Sequence, residues 1–189
     1  MTTAAASASG PAPEIEQYEI DVGNMHAGIQ FKISHLGFGW MLGRFNRFSG
    51  RFAYSPGHPE LDRVEVTIDT GSIDTNHAER DKHLRSADFL AVEEHPQARF
   101  VGTRYTGTAE GRGVLEGELT LRGVTRPVRI DVRELGHGTD PWGAFRRGFE
   151  GTTKLVLKDF GIEYDLGPMA REVELFLTIE GVRQTEIWL

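Results

Sequence analysis

The densest run of chemically capable side chains is His77-x-Glu79-x-Asp81-x-His83, two imidazoles and two carboxylates at every second position. On a β-strand all four would share one face and could converge on a metal ion. On an α-helix each step of two rotates the side chain by about 200°, and only His77 and Asp81 stay neighbours. The run from 75 to 85 is charged, Asn76 stands where a helix cap would, and Glu79 follows three residues later in capping-box spacing. These signals predict a short helix over residues 77–86. Arg80, Asp81 and Arg85 then orient that helix against the rest of the fold, with no metal bound.

Other candidate chemistry is thinner. His26, His35, His58, His95 and His137 are dispersed, and none forms an HExxH-type pair. His35 ends an alternating stretch and reads as a rim residue rather than a ligand. Gly71-Ser72-Ile73 does not complete a nucleophile elbow. Gly37-x-Gly39-x-x-x-Gly43 has the wrong spacing for a dinucleotide fingerprint and reads as a loop. Asp62 and Glu65 read as carboxylates on the wet faces of strands, where pKa values stay near normal. With no cysteine in 189 residues, disulfides, thiolate metal sites and cysteine nucleophiles are excluded. No enzyme signature emerges, and no cofactor is called for.

The elements that would hold such residues are strands. Ile29, Phe31 and Ile33 alternate with polar residues, as do Val64, Val66 and Ile68. The same period of two recurs around Phe48–Tyr54, 98–102, 115–121, 128–132, 149–157 and 173–179. Each stretch buries one face and wets the other, so about eight strands are expected. Ser55-Pro56-Gly57, Glu110-Gly111-Arg112-Gly113 and Arg122-Gly123-Val124-Thr125 are short turns, which make neighbouring strands antiparallel. Closure into a barrel would remove the exposed edges. Residues 1–17, rich in Ala, Ser and Pro, read as a flexible tail before a single domain over 18–189.

A net charge of -7 with no Lys/Arg run argues against nucleic acid, and no apolar stretch is long enough to span a bilayer. Composition alone favours a packed barrel core. Glycines on the apolar faces, such as Gly102, Gly117 and Gly151, would instead leave room for a ligand. The start has no basic and leucine-rich signal, yet Ala6-Ser7-Ala8 has the small-x-small pattern that precedes cleavage. A cytoplasmic and an exported protein both fit.

Several long motifs together resemble the YceI family of bacterial lipid-binding proteins. They are the stretch from Ser72 to Leu90, Gly117 to Val128, Asp140-Pro141-Trp142-Gly143 and Lys158-Asp159-Phe160-Gly161-Ile162, with His26, Phe31 and Ser34-His35-Leu36-Gly37 near the start. The resemblance runs in order from about Tyr18 to Arg183. It implies an all-β fold: an extended eight-stranded antiparallel lipocalin-like barrel with one short helix. It also implies a periplasmic location, a possible homodimer, and a polyisoprenoid or related amphiphilic lipid held in the lumen without catalysis. The alternative is an enzyme acting on a lumen-bound lipid, which would need a polar cluster directed inward. The expected tail-binding residues are Phe31, Ile33, Phe52, Val66, Ile68, Phe100, Leu119, Leu121, Trp142, Phe149, Leu155 and Leu177, chosen from apolar strand faces or for large rings at turns.

Overall fold

The computed structural model describes residues 12–186; most of the expected tail, residues 1–11, lies outside them. Eleven strands follow in chain order: β1 (Glu16–Ile20), β2 (Gly28–His35), β3 (Gly39–Phe45), β4 (Phe48–Tyr54), β5 (Arg63–Asp69), β6 (Ile73–Asp74), β7 (Gln97–Gly107), β8 (Arg112–Leu121), β9 (Val124–Thr139), β10 (Phe145–Val156) and β11 (Glu172–Gln184). Among the described residues a single α-helix, α1 (Ala78–Arg85), lies between β6 and β7. Every pairing is antiparallel, and the ring runs β1-β4-β5-β7-β8-β9-β10-β11 and back to β1.

Eleven strands make eight staves. β1 and β2 are one long stave kinked between them: β11 pairs its Gly181–Gln184 half with β1 and its Glu174–Thr178 half with β2. β3 and β4 form the next stave, bent at Asn46 and Arg47, pairing with β2 and β1 in turn. β5 and β6 form a third, broken by the 3-10 turn Thr70–Ser72, where Asp69 accepts from the Gly71 N–H. The expected eight-stranded antiparallel barrel with one short helix is therefore present. β1 begins at Glu16, inside the stretch read as a tail.

The Gly37–Gly43 segment is corrected from loop to mostly strand, since β3 starts at Gly39 and only 36–38 make the turn. Gly43 is there for packing. It pairs with Phe31 across the strands, and a Cβ at Gly43 would run into the Phe31 ring. The β8–β9 hairpin turns on two residues, Arg122 (φ 51) and Gly123 (φ 72). Two positive φ values in a two-residue loop match the right-handed twist of the strands.

The two ends of the barrel differ. At one end α1 and residues 84–92 lie over the staves, and Leu84, Leu90 and Val92 pack on Phe31, Ile73, Leu121 and Val173. Arg122 fastens this cover by donating to the carbonyls of Ala87 (2.7 Å) and Gly161. Among the described residues no helix is long and apolar enough to cross a membrane. The other end carries the β4–β5 connection and the starts of β1, β8 and β10.

The helix is capped one residue later than expected. His77, not Asn76, is the cap, its Nδ1 accepting from the Arg80 N–H at 3.2 Å. The reaching-back acid is Asp81 rather than Glu79: its Oδ1 accepts from the Thr75 N–H (2.9 Å) and Thr75 Oγ1 (2.5 Å). Arg80 donates from Nε to Thr75 Oγ1 and from its second nitrogen to the Thr75 carbonyl. The charged motif thus folds onto Thr75 and fixes α1 against β6.

Candidate ligand site in the barrel lumen

An almost wholly apolar cavity of about 180 Å³ occupies the barrel interior. Alternation along each stave builds it. Phe52 on β4, Val64, Val66 and Ile68 on β5, Phe100 on β7, Leu115 and Leu119 on β8, Val128, Ile130 and Val132 on β9, Phe149 and Leu155 on β10, and Leu175, Leu177 and Ile179 on β11 all line it. The inner face of the barrel is thus the apolar face of the sequence. Within and behind the cavity wall, Phe160, Leu155, Ile130 and Phe100 share one buried cluster, while Tyr18, Ile20, Ile29 and Phe52 form part of another.

Eight of the twelve expected residues, Phe52, Val66, Ile68, Phe100, Leu119, Phe149, Leu155 and Leu177, line this cavity. Four do not. Phe31 packs with Ile73 and Leu90 beneath the helix cover, and Leu121 packs beside them. Ile33, on the same face of β2, is buried but off the cavity wall. Trp142 is 84% exposed on the β9–β10 turn, where Asp140 accepts from the Trp142 and Ala144 N–H groups at 2.9 Å each. Val64, Leu115 and Ile179 were missed although they share the alternation phase of residues that were chosen, and Ile130 lies in an alternating stretch from which none was chosen.

The glycines do not leave the room expected of them. A Cβ at Gly117 would stand 2.5 Å from both Phe100 Cζ and the Val101 carbonyl oxygen. At Gly102 it would meet Val64, and at Gly151 it would lie 2.9 Å from Ile130. Large side chains therefore lie flat over glycines on the neighbouring strand, which allows bulky rings within a strongly curved sheet. The cavity is what remains between those rings.

At the uncovered end polar residues join the wall of the cavity. Asp62, in the inward phase of Val64, lines the cavity together with Tyr54 and Tyr105. Its Oδ1 accepts from the Ser55 N–H at 2.7 Å. Burial pushes the Asp62 carboxyl up to about 6, opposed by that hydrogen bond, so the expectation of an ordinary wet-face carboxylate is corrected. Glu65, by contrast, is held low by Arg99 on the outer face, with burial working the other way.

Beside them sits a buried cation. Arg147, 4% exposed, donates to Glu16 (3.0 Å), Glu134 (2.7 Å) and the Tyr18 hydroxyl (3.2 Å). Its guanidinium lies 3.8 Å from the centre of the Tyr54 ring. Tyr18 donates to Glu16 at 2.6 Å and stacks on Phe52 with centres 4.7 Å apart. Burial, helped by that bond to Glu16, raises the Tyr18 phenol to about 12. This knot fills the barrel interior between β1, β9 and β10.

Among the described residues one trio of carboxylate and imidazole atoms lies close enough to hold a cation: Asp21, His26 and Glu180. Arg146 already faces it, donating to Asp21 at 2.7 Å, to Glu180 at 2.5 Å and to Asp140 at 2.5 Å. The trio is half of an ion-pair knot that ties β10 and β11 to the β1–β2 kink. In the charged motif, His77 is spent as a helix cap and His83 Nε2 meets Asp88 at 2.7 Å.

A closed antiparallel barrel with an apolar lumen and one end covered by a helix defines a lipocalin-like fold. The chain belongs to the YceI family: the YceI-like domain model matches residues 18–181. A UPF0312 protein of Ectopseudomonas mendocina is 54% identical over 167 residues, 88% of this chain and 87% of the relative. BcnA of Burkholderia cenocepacia superimposes with a TM-score of 0.76 at 20% identity, covering 85% of this chain and 98% of that one. A polyisoprenoid-binding domain from Saccharophagus degradans, implicated in plant cell wall breakdown, gives 0.65 at 16% identity, covering 88% and 98%.

Proposed function

We propose that this protein binds a long isoprenoid or a related amphiphilic lipid in its lumen and carries or stores it without chemical change. The observation that carries this reading is the cavity itself: an apolar space enclosed by eight staves and covered at one end. Such a space wins about 25 cal/mol for each Å² of tail it removes from water. The polyisoprenoid-binding function named for the Saccharophagus domain supports the same ligand class. An enzyme acting on the lumen lipid is the second reading, favoured by the inward Asp62 with Tyr54 and Tyr105 beside it.

Solvent extraction of the purified protein, followed by mass spectrometry, tests the binding. One lipid per chain is expected, recovered with unchanged mass after incubation. Val66→Phe and Ile130→Phe fill the lumen at about 1–3 kcal/mol of overpacking, so each should stay folded yet lose the lipid. A protein that never takes up lipid from a bacterial extract, or filled variants that still carry one, would refute the carrier. A bound lipid recovered with altered mass would establish the enzyme instead.

A further inference from the structure

We propose that Tyr54, Asp62 and Tyr105 form a head-group site that selects an uncharged head able to donate a hydrogen bond, an alcohol or a primary amide, over a phosphate or carboxylate. The inference rests on the lumen reading above and adds which lipids the lumen accepts.

Three residues lining this end of the cavity carry polar groups with capacity to spare. Asp62 Oδ1 is taken by the Ser55 N–H, but its second oxygen has no hydrogen-bond partner among the described residues. The Tyr54 and Tyr105 hydroxyls have none either, and none of the three is sealed away from a ligand or water. Burial raises both phenols; at Tyr105 the Asp62 charge adds most to that, while at Tyr54 Arg147 works the other way and Glu134 and Asp62 add smaller upward pushes. The set offers two hydroxyl donors and one free carboxyl acceptor.

The cations nearby are already engaged. Arg63 turns back to the carbonyls of Glu60 (2.9 Å) and Asp62 (2.7 Å). Arg104 stands 3.5 Å from both Glu116 and Thr106. Arg147 is balanced by Glu16 and Glu134. The group left facing the lumen is an acid, so an anionic head meets like charge in a poorly hydrated space. A hydroxyl or amide N–H instead completes the open carboxyl oxygen, and its own oxygen accepts from a tyrosine. Specificity then comes from repulsion as well as attraction.

The test is a competition, read by mass spectrometry of the intact protein at neutral pH. Delipidated full-length protein receives geranylgeraniol and geranylgeranyl monophosphate in equal amounts. At least a tenfold preference for the alcohol is expected, and Asp62→Asn should cut that ratio at least fivefold. The amide oxygen of that variant can still accept from the Ser55 N–H, and circular dichroism checks its fold. Equal or preferred binding of the phosphate overturns the proposal, with or without the variant. So does an Asp62→Asn ratio that does not move. If neither probe binds, the lumen reading itself fails, and the head-group site falls with it.

Discussion

Gly117→Ala should destabilise the barrel, although strand glycines are usually improved by a side chain. Alanine removes backbone freedom from the unfolded chain, a gain of about 0.4–1 kcal/mol where the native conformation suits it. Here the new methyl stands 2.5 Å from the Val101 carbonyl oxygen and 2.5 Å from Phe100 Cζ. Those separations are far inside van der Waals contact, and only the ring can move. Overpacking of this kind costs about 1–3 kcal/mol, and pushing Phe100 off its rotamer about 0.5–1.5 more. The net loss is about 1–3 kcal/mol, seen in urea as a lower midpoint with unchanged slope. Gly136→Ala is the control: nothing lies within 4 Å of its Cβ, so it should be neutral or stabilising. Phe100→Ala in the Gly117→Ala background should show a coupling of at least about 0.5 kcal/mol, since the two side chains compete for one space. Equal midpoints for Gly117→Ala and Gly136→Ala would refute the ring-over-glycine account.

Asp62→Asn should change how stability depends on pH. The folded carboxyl, raised from 3.8 to about 6, holds its proton more tightly than the unfolded one, so its contribution favours folding at low pH and is lost as pH rises through that window. The midpoint gap between variant and parent in thermal melts should therefore widen in the variant's favour from pH 4 to 6 and then level off; a flat gap would deny the shift. Arg147→Met takes the main cation from buried Glu16 and half-buried Glu134, leaving Glu16 only Arg183 at 3.4 Å, and should cost up to about 3–5 kcal/mol, part of it restored by Glu16→Gln. Chemical denaturation of the two variants reads this, and a loss unaffected by the second change would contradict the pairing. Asp81→Ala should cost more than His77→Ala, because it strands the buried Thr75 N–H and hydroxyl, about 1–3 kcal/mol, whereas the cap alone is worth about 0.5–2. Hydrogen exchange of the α1 amides would show the reverse order if the motif were only a solvated face.

Period two was legible wherever one face of a stave looks into the lumen, which is why Val64–Ile68 or Leu175–Ile179 announce themselves. It failed where that contrast breaks. β1 sets Glu16 and Tyr18 inward, toward Arg147, so its buried face reads as polar. β3 leaves Trp40 and Leu42 more than half exposed and puts Gly43 under the Phe31 ring, so it reads as a glycine-rich loop. Asp62 looked like a surface acid, although one more step of the alternation from Val64 directs it inward. The four expected residues that lie off the cavity show a different limit. Alternation decides whether a side chain points into the barrel or out of it, and for Phe31 and Leu121 inward was right. It carries no coordinate along the barrel axis. That height is set by the stagger between β11, β2 and β3, which places Phe31 under the 84–92 cover rather than beside Phe52. Stagger is a property of ring closure, to which each stave contributes and which none encodes alone. Trp142 had no alternation to place it at all. A large ring in a turn has only its size to recommend it, and here the turn is held by Asp140 while the indole faces solvent.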